Sequence, residues 1–413
     1  MNSIPFVEIY NRITRRLTSA KWLQKFNIDK YLIDKYFRNK NFSDALKDLI
    51  ETNNFTAKKT LELCLPMLNE LAKEKVPSDW LSYIHQYTLY KNFPETVSVK
   101  LLDELISSCE TFLRIFRVIC EVQKDSSDGT WQSLYAMNFL TLQEENELEH
   151  PEEYRRFVRA FNDNYSYEMM KINGEITGFT TLDHVCGVHY LSLFIARQLK
   201  SIGTPVDLGR VSGAAGGHDI GKYGCKGIEL KRVPRLHYYY TDQWFKRYGI
   251  NYIRNIAINH STWDLELENL SIESLLLIYS DFRIKDEYIN GKAKMKVYPL
   301  EDSFHVILNK LENVTDEKSK RYKRVYSKLK DFEDFLINLG IDTEPKSKFI
   351  LSKIPKQHYT LLQGNGIVQN LKYLSISHNI NLMYHLRDEY SLDALLEMAR
   401  SEKDWKNLRE YVR

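Results

Sequence analysis

Six side chains of the kinds that bind divalent metals fall in the middle of the chain: His184, the adjacent pair His218 and Asp219, then His237, His260 and Asp281. The successive intervals are 34 residues (184 to 218), 18 (219 to 237), 23 (237 to 260) and 21 (260 to 281). Gaps of this length let successive ligands come from successive helices of a bundle, each projecting inward to one point. Imidazole and carboxylate together suit divalent Fe, Mn, Ni, Co or Zn. None of the cysteines Cys64, Cys109, Cys120, Cys186 and Cys225 falls at matching spacing, which argues against a thiolate structural zinc site. His189, five residues after His184, points about 140° away on a helix and reads as a packed core histidine.

The string Gly217-His218-Asp219-Ile220-Gly221-Lys222 is preceded by Asp183-His184-Val185-Cys186-Gly187-Val188 and followed by Ile278-Tyr279-Ser280-Asp281. In these residues the chain resembles the HD-domain metal-dependent phosphohydrolase superfamily, over roughly residues 174 to 290. The resemblance implies that His184, His218, Asp219 and Asp281 hold a first metal. His237 and His260 fall where the dinuclear subset of the superfamily carries two extra histidines. Asp219 would then bridge two ions, with Fe or Mn expected first and Mg, Co, Ni or Zn as alternatives. Two features depart from the pattern. Ala214-Ala215-Gly216-Gly217 stands where bulky apolar residues usually precede the His-Asp pair, which would loosen that helix or admit a larger ligand. The Gly-Tyr-Pro motif of cyclic dinucleotide hydrolysis is missing, since Ser261-Thr262-Trp263-Asp264 follows His260.

Two divalent ions sharing a carboxylate lower the pKa of a bridging water toward neutrality, and the hydroxide can attack phosphorus in line. The expected catalytic residues are Asp219 and Lys222; Lys222 supplies a cation three residues beyond Asp219, on a similar helix face. Lys222, Arg283 and Lys285 are the expected substrate-binding cations. Asp264 is a candidate proton relay or partner of His260, and Asp183 a candidate partner of His184. The aromatic run from Tyr238 to Phe245 reads as core before it reads as a nucleobase platform. The resulting expectation is a phosphohydrolase acting on a phosphorylated small molecule, a nucleotide or related phosphate. The alternatives are a di-iron oxygenase of the same superfamily and a regulatory or scaffold protein that binds a nucleotide or metal without turnover.

The elements that must position these residues read as helices. From Phe6 to about Asp163 apolar residues recur at three- and four-residue intervals, as in Phe112, Ile115, Phe116 and Ile119. Breaks fall near Val76-Pro77-Ser78-Asp79, Asn92-Phe93-Pro94 and Gln123 to Gly129. Eleven of the 17 glycines lie between 174 and 227, which marks where the backbone geometry is most demanding. A turn at Asn290-Gly291 followed by a short strand around Met295-Lys296-Val297 is expected next. Helical period returns from Glu301 to Leu339, where Lys318, Lys320, Arg321, Lys323 and Arg324 form a solvated face. A last helical piece runs from Leu371 to Arg413. The expected class is all-α, an HD-type helical bundle with helical flanks. The expected divisions are 1–165 (helical region), 166–345 (metal-binding domain) and 346–413 (helical segment).

Composition bounds the partners. The 58 Lys and Arg nearly balance 55 Asp and Glu, for a net charge of +3, so nucleic acid is not indicated. A 43% hydrophobic content supports a real core, and 17 glycines with 10 prolines are few for this length, as expected of long helices. Five cysteines with no close pairing read as reduced buried thiols. No signal peptide and no membrane span are visible, so a cytoplasmic protein without a membrane partner is expected. The helix period running through Val412 without a terminating Gly or Pro predicts further domains beyond Arg413.

Overall fold

A computed structural model describes residues 6–52, 54–97, 101–125, 137–260, 270–289, 292–310 and 314–345, together with 376, 377, 380, 381 and 384. Among these the fold is essentially all-α. In chain order the helices are α1 (Phe6–Leu17), α2 (Ala20–Lys25), α3 (Lys30–Phe37), α4 (Lys40–Glu51), α5 (Ala57–Ala72), α6 (Trp80–Asn92), α7 (Asp103–Asp125), α8 (Leu142–Asn146) and α9 (Pro151–Asp163). They continue with α10 (Ser166–Thr177), α11 (Leu182–Ser201), α12 (Leu208–Gly217), α13 (Val233–Arg247), α14 (Tyr252–Ala257), α15 (Ile272–Arg283), α16 (Leu300–Lys310) and α17 (Asp316–Asn338). Two 3₁₀ stretches, Ile220–Gly224 and Gly227–Arg232, join α12 to α13. One antiparallel hairpin, β1 (Ile284–Ile289) with β2 (Lys292–Val297), follows α15 in the register Ile284↔Val297 to Ile289↔Lys292.

The chain forms two compact units. The first comprises Met1–Ala136 with Ala160–Leu182, the second Met137–Arg159 with Asp183–Arg413. In the first unit α7 packs against α1, α5, α6 and α10, and its stripe of Phe112, Ile115, Phe116 and Ile119 is fully buried. The break expected near Val76–Asp79 is where α5 gives way to α6, whose first turn is capped by the Asp79 carboxylate accepting from Ser82 N. The carboxylate of Glu110 is buried in this unit with the hydroxyls of Tyr87 and Tyr165 (2.7 Å each) and the Lys91 ammonium (2.8 Å) as donors, so its charge is compensated.

In the second unit α12 packs on α14 and α15, and the stretch Ile220–Gly224 lies along α13. The small residues ahead of His218 do not loosen α12 or leave room for a larger ligand, contrary to the sequence expectation. The helix is continuous through Gly217, and the space a side chain would take is filled by Met137 and Phe157 against Gly216 and by Phe245 and Phe157 against Gly217. Small residues here let three helices approach closely. The short strand expected around Met295 to Val297 is present as β2. β2 begins at Lys292, before Met295, and its partner β1 went unpredicted because Lys285, Asp286 and Glu287 give its centre no apolar alternation. In α17, Val325 and Leu329 are buried as expected, but Arg321 is buried too, with its guanidinium over the Tyr322 ring, so it does not belong to the solvated face. All five cysteines are buried, and no disulfide joins them. The segments read as helix from Leu371 onward and the stretch Ser261 to Asp264 lie largely or wholly outside the described residues.

Candidate metal centre

Three histidines of the cluster, His218, His237 and His260, are oriented by backbone carbonyls. A helix leaves its last carbonyls without intrahelical partners. His218 is the C-cap of α12, and its Nδ1 lies 2.8 Å from the carbonyl of Ala215. His260 follows α14, with Nδ1 2.5 Å from the carbonyl of Ala257. His237 stands one turn into α13, with Nδ1 2.8 Å from the carbonyl of Val233. A carbonyl only accepts, so each contact puts the proton on Nδ1 and leaves the Nε2 lone pair free for a metal. The N-terminus of α14 is itself held by Glu153, whose carboxylate accepts from the backbone N–H groups of Asn251 (2.5 Å) and Tyr252 (2.8 Å).

These Nε2 atoms converge on Asp219, and they divide between its two oxygens. Oδ2 faces His184 at 3.8 Å and His218 at 3.6 Å. Oδ1 faces His237 at 3.7 Å and His260 at 3.8 Å, whose own Nε2 atoms are 3.4 Å apart. Asp281 joins the first group, with Oδ1 2.9 Å from His184 Nε2. Two sets of donor atoms, one from His184, His218 and Asp219 and the other from Asp219, His237 and His260, each lie within 4.8 Å of one another. Donors bound about 2.1 Å from a single ion stand roughly 3.0–3.5 Å apart, so both groups are close to the spacing a metal requires. His218 Nε2 is buried and makes no hydrogen bond, a position whose cost an ion would remove.

The electrostatics agree with this reading. Burial pushes His218 down to about 4 and His237 down to about 3, and lowers His260 as well, so all three are neutral imidazoles at pH 7. Burial alone would raise the Asp219 carboxyl. Lys222, whose ammonium is 2.6 Å from Oδ2, leads the charges that outweigh it and hold Asp219 well below the usual carboxylate range. Asp281 shows the same balance: burial raises it, and Lys285 followed by His184 bring it well below its ordinary value. Neutral imidazoles with ionised carboxylates are the protonation states a divalent cation needs.

The other sequence-derived residues separate. Lys285 stays at the cluster, donating to the Asp281 carbonyl at 2.6 Å with its Nζ 3.9 Å from Asp281 Oδ1. Arg283 does not join it. Its side chain is fully buried and bonded to the carbonyls of Tyr298 (2.7 Å) and Thr343 (2.8 Å), the Tyr279 hydroxyl (2.8 Å) and the Glu344 carboxylate, so its donors hold the fold together rather than face a substrate. His189 is a core histidine as expected, with Nε2 2.9 Å from Ser212 Oγ. Of the aromatic run, Tyr240, Trp244 and Phe245 are buried in the core, while Tyr238 packs its ring 3.9 Å from that of His237 and 4.9 Å from that of His260. Asp264 lies outside the described residues.

Two residues have positioning roles that the sequence did not give them, Gly221 of the string after the His-Asp pair and Thr241. A Cβ on Gly221 would stand 2.0 Å from the His237 carbonyl and 2.4 Å from Thr241 N, so only glycine lets the Ile220–Gly224 stretch press against α13. Thr241 Oγ1 accepts from Gly221 N at 3.1 Å and donates to the His218 carbonyl at 3.2 Å, tying the two halves of the centre together. A hydroxyl 22 residues past Asp219 carries no sequence signal for this role. No protein-family model, curated protein or solved structure matches the chain.

Proposed function

We propose that this chain is a metal-dependent phosphohydrolase that hydrolyses a phosphoester of a small molecule, a nucleotide or related phosphate, at a pair of divalent ions sharing Asp219. The observation that carries the reading is the division of Asp219: one oxygen toward His184 and His218, the other toward His237 and His260. His184, His218, Asp219 and Asp281 would hold one ion, and Asp219, His237 and His260 the second, in keeping with the resemblance to the HD superfamily. When bound, such a pair supplies Lewis acidity and a water of near-neutral pKa.

The chain's own residues do the rest. The half with His184 and Asp281 is the more open, with 14% and 25% of those side chains exposed against 4% and 5% for His237 and His260. Two ammonium groups, Lys222 and Lys285, are partly exposed on that open half, the arrangement that draws in and neutralises a phosphate. Lys222, now 2.6 Å from Asp219, would be free to meet a phosphoryl oxygen, where charge develops during transfer, were Asp219 to hold a metal instead. Tyr238 closes the opposite wall behind His237 and His260.

The test is a screen of phosphomonoesters and phosphodiesters, nucleotides included, with protein loaded anaerobically with Mn²⁺ or Fe²⁺. Turnover reduced at least about a hundredfold in both Asp219→Ala and Lys222→Ala is expected. Two bound ions with no hydrolysis of any phosphoester would overturn the hydrolase reading. Oxygen uptake by the di-iron form would replace it with oxygenase chemistry.

A further inference from the structure

The connection from Lys222 to His237 contains Lys226-Gly227-Ile228-Glu229-Leu230-Lys231-Arg232-Val233-Pro234-Arg235, with four cations and one acid. Ile228 is 87% exposed and Leu230 61%, on the 3₁₀ stretch Gly227–Arg232. Lys226, Lys231, Pro234 and Arg235 are also exposed. The single acid is turned inward, since the Glu229 carboxylate accepts from the Tyr240 hydroxyl at 2.8 Å and from Lys226 N at 3.1 Å. Those two bonds also fix the stretch, so the aliphatic pair is presented on an anchored backbone. Two bulky aliphatic side chains exposed to water within a stretch that carries four cations match a surface that is apolar beneath an anionic layer.

We propose that this stretch docks on the surface of an anionic lipid bilayer, Ile228 and Leu230 entering the headgroup boundary while Lys226, Lys231 and Arg235 meet lipid phosphates. A protein partner fits less well, because a stable interface covers about 800 Å² on each side and two side chains fall far short of that. A nucleic acid would call for aromatic or polar groups at the centre of the patch, where the chain has aliphatic ones. Surface docking requires no membrane-spanning helix, and it follows the rule that a weak apolar anchor is completed by basic residues. It is independent of turnover at the metal centre.

Co-sedimentation with vesicles of phosphatidylcholine, with and without about 30% phosphatidylglycerol, tests this. Each basic side chain near an anionic surface strengthens binding about fivefold, so three predict roughly a hundredfold preference for the anionic vesicles. Ile228→Asp with Leu230→Asp should lower that binding at least about tenfold while leaving metal content and helical circular dichroism unchanged. Ile228→Trp should bind at least as well as the unaltered protein and show blue-shifted fluorescence on the vesicles. Absence of binding, binding indifferent to lipid charge, or binding that survives the double aspartate variant overturns the proposal. The same holds if a soluble polyanion binds as tightly and its binding is unaffected by the aspartates, which would indicate a charge patch without apolar insertion.

Discussion

Replacing Lys222 by Met should destabilise the metal-free protein and leave the metal-loaded protein nearly unaffected. The Lys222 ammonium lies 2.6 Å from Asp219 Oδ2, and the Asp219 side chain is only 2% exposed, so the lysine is the cation that permits a buried carboxylate to stay ionised. At an effective dielectric of about 20 the gross attraction at this distance is roughly 6 kcal/mol. Removing one partner of a buried pair costs about 3–5 kcal/mol. Lys222 is 23% exposed and partly screened, which puts the expected loss at the lower end, about 3 kcal/mol. Divalent ions at Asp219 would supply the same compensation, and saturating Mn²⁺ should shrink the deficit below about 1 kcal/mol. Urea unfolding of both proteins, in chelator and in Mn²⁺, reads this directly as a shift in midpoint at constant slope. An equal deficit in both conditions would show that Lys222 serves packing rather than charge. No deficit in chelator would show that Asp219 does not depend on it.

Gly221→Ala should cost several kcal/mol and abolish metal binding, because the added methyl meets the backbone of His237 and Thr241; Gly213→Ala, which meets the Ile253 side chain rather than backbone, should be milder, and thermal melts with metal analysis compare the two. Arg283→Met should lose about 3–5 kcal/mol, since it leaves two buried carbonyls and Glu344 without their donor, whereas Lys285→Met should stay within about 1 kcal/mol and weaken phosphate binding instead. In the first unit, burial lowers His85 from 6.5 to about 4, so the folded state binds fewer protons than the unfolded chain between those values. Its contribution is complete above pH 6.5 and lost as pH falls toward 4, up to about 3 kcal/mol; His85→Gln should flatten the stability profile in that window, and an unchanged slope would refute it.

How far the sequence could be read depended on the kind of interaction. The all-α class followed from the three- and four-residue period, which α7 buries as expected, and the metal-binding types of His184, His218, Asp219, His237, His260 and Asp281 drew attention to a cluster that the structure does bring together. What could not be read were the groups that orient it. The carbonyls of Ala215, Val233 and Ala257 are backbone atoms, those of Ala215 and Ala257 available because a helix ends there, and residue type says nothing about them. Arg283 was misjudged for a related reason: two residues from Asp281 it looks like a substrate cation, yet the turn from α15 into β1 directs its guanidinium onto carbonyls. The run of small residues before His218 looked like slack because the sequence does not reveal that Met137, Phe157 and Phe245 arrive from elsewhere to fill it.

If Asp219 is shared by two ions, metal stoichiometry must follow the residues on each of its sides. Mass spectrometry on protein purified without oxygen or chelator should find two Fe or Mn per chain, one in the doubly substituted His237→Ala, His260→Ala protein, and none in Asp219→Ala. A single ion in the unaltered protein, or two ions retained without Asp219, would contradict the account.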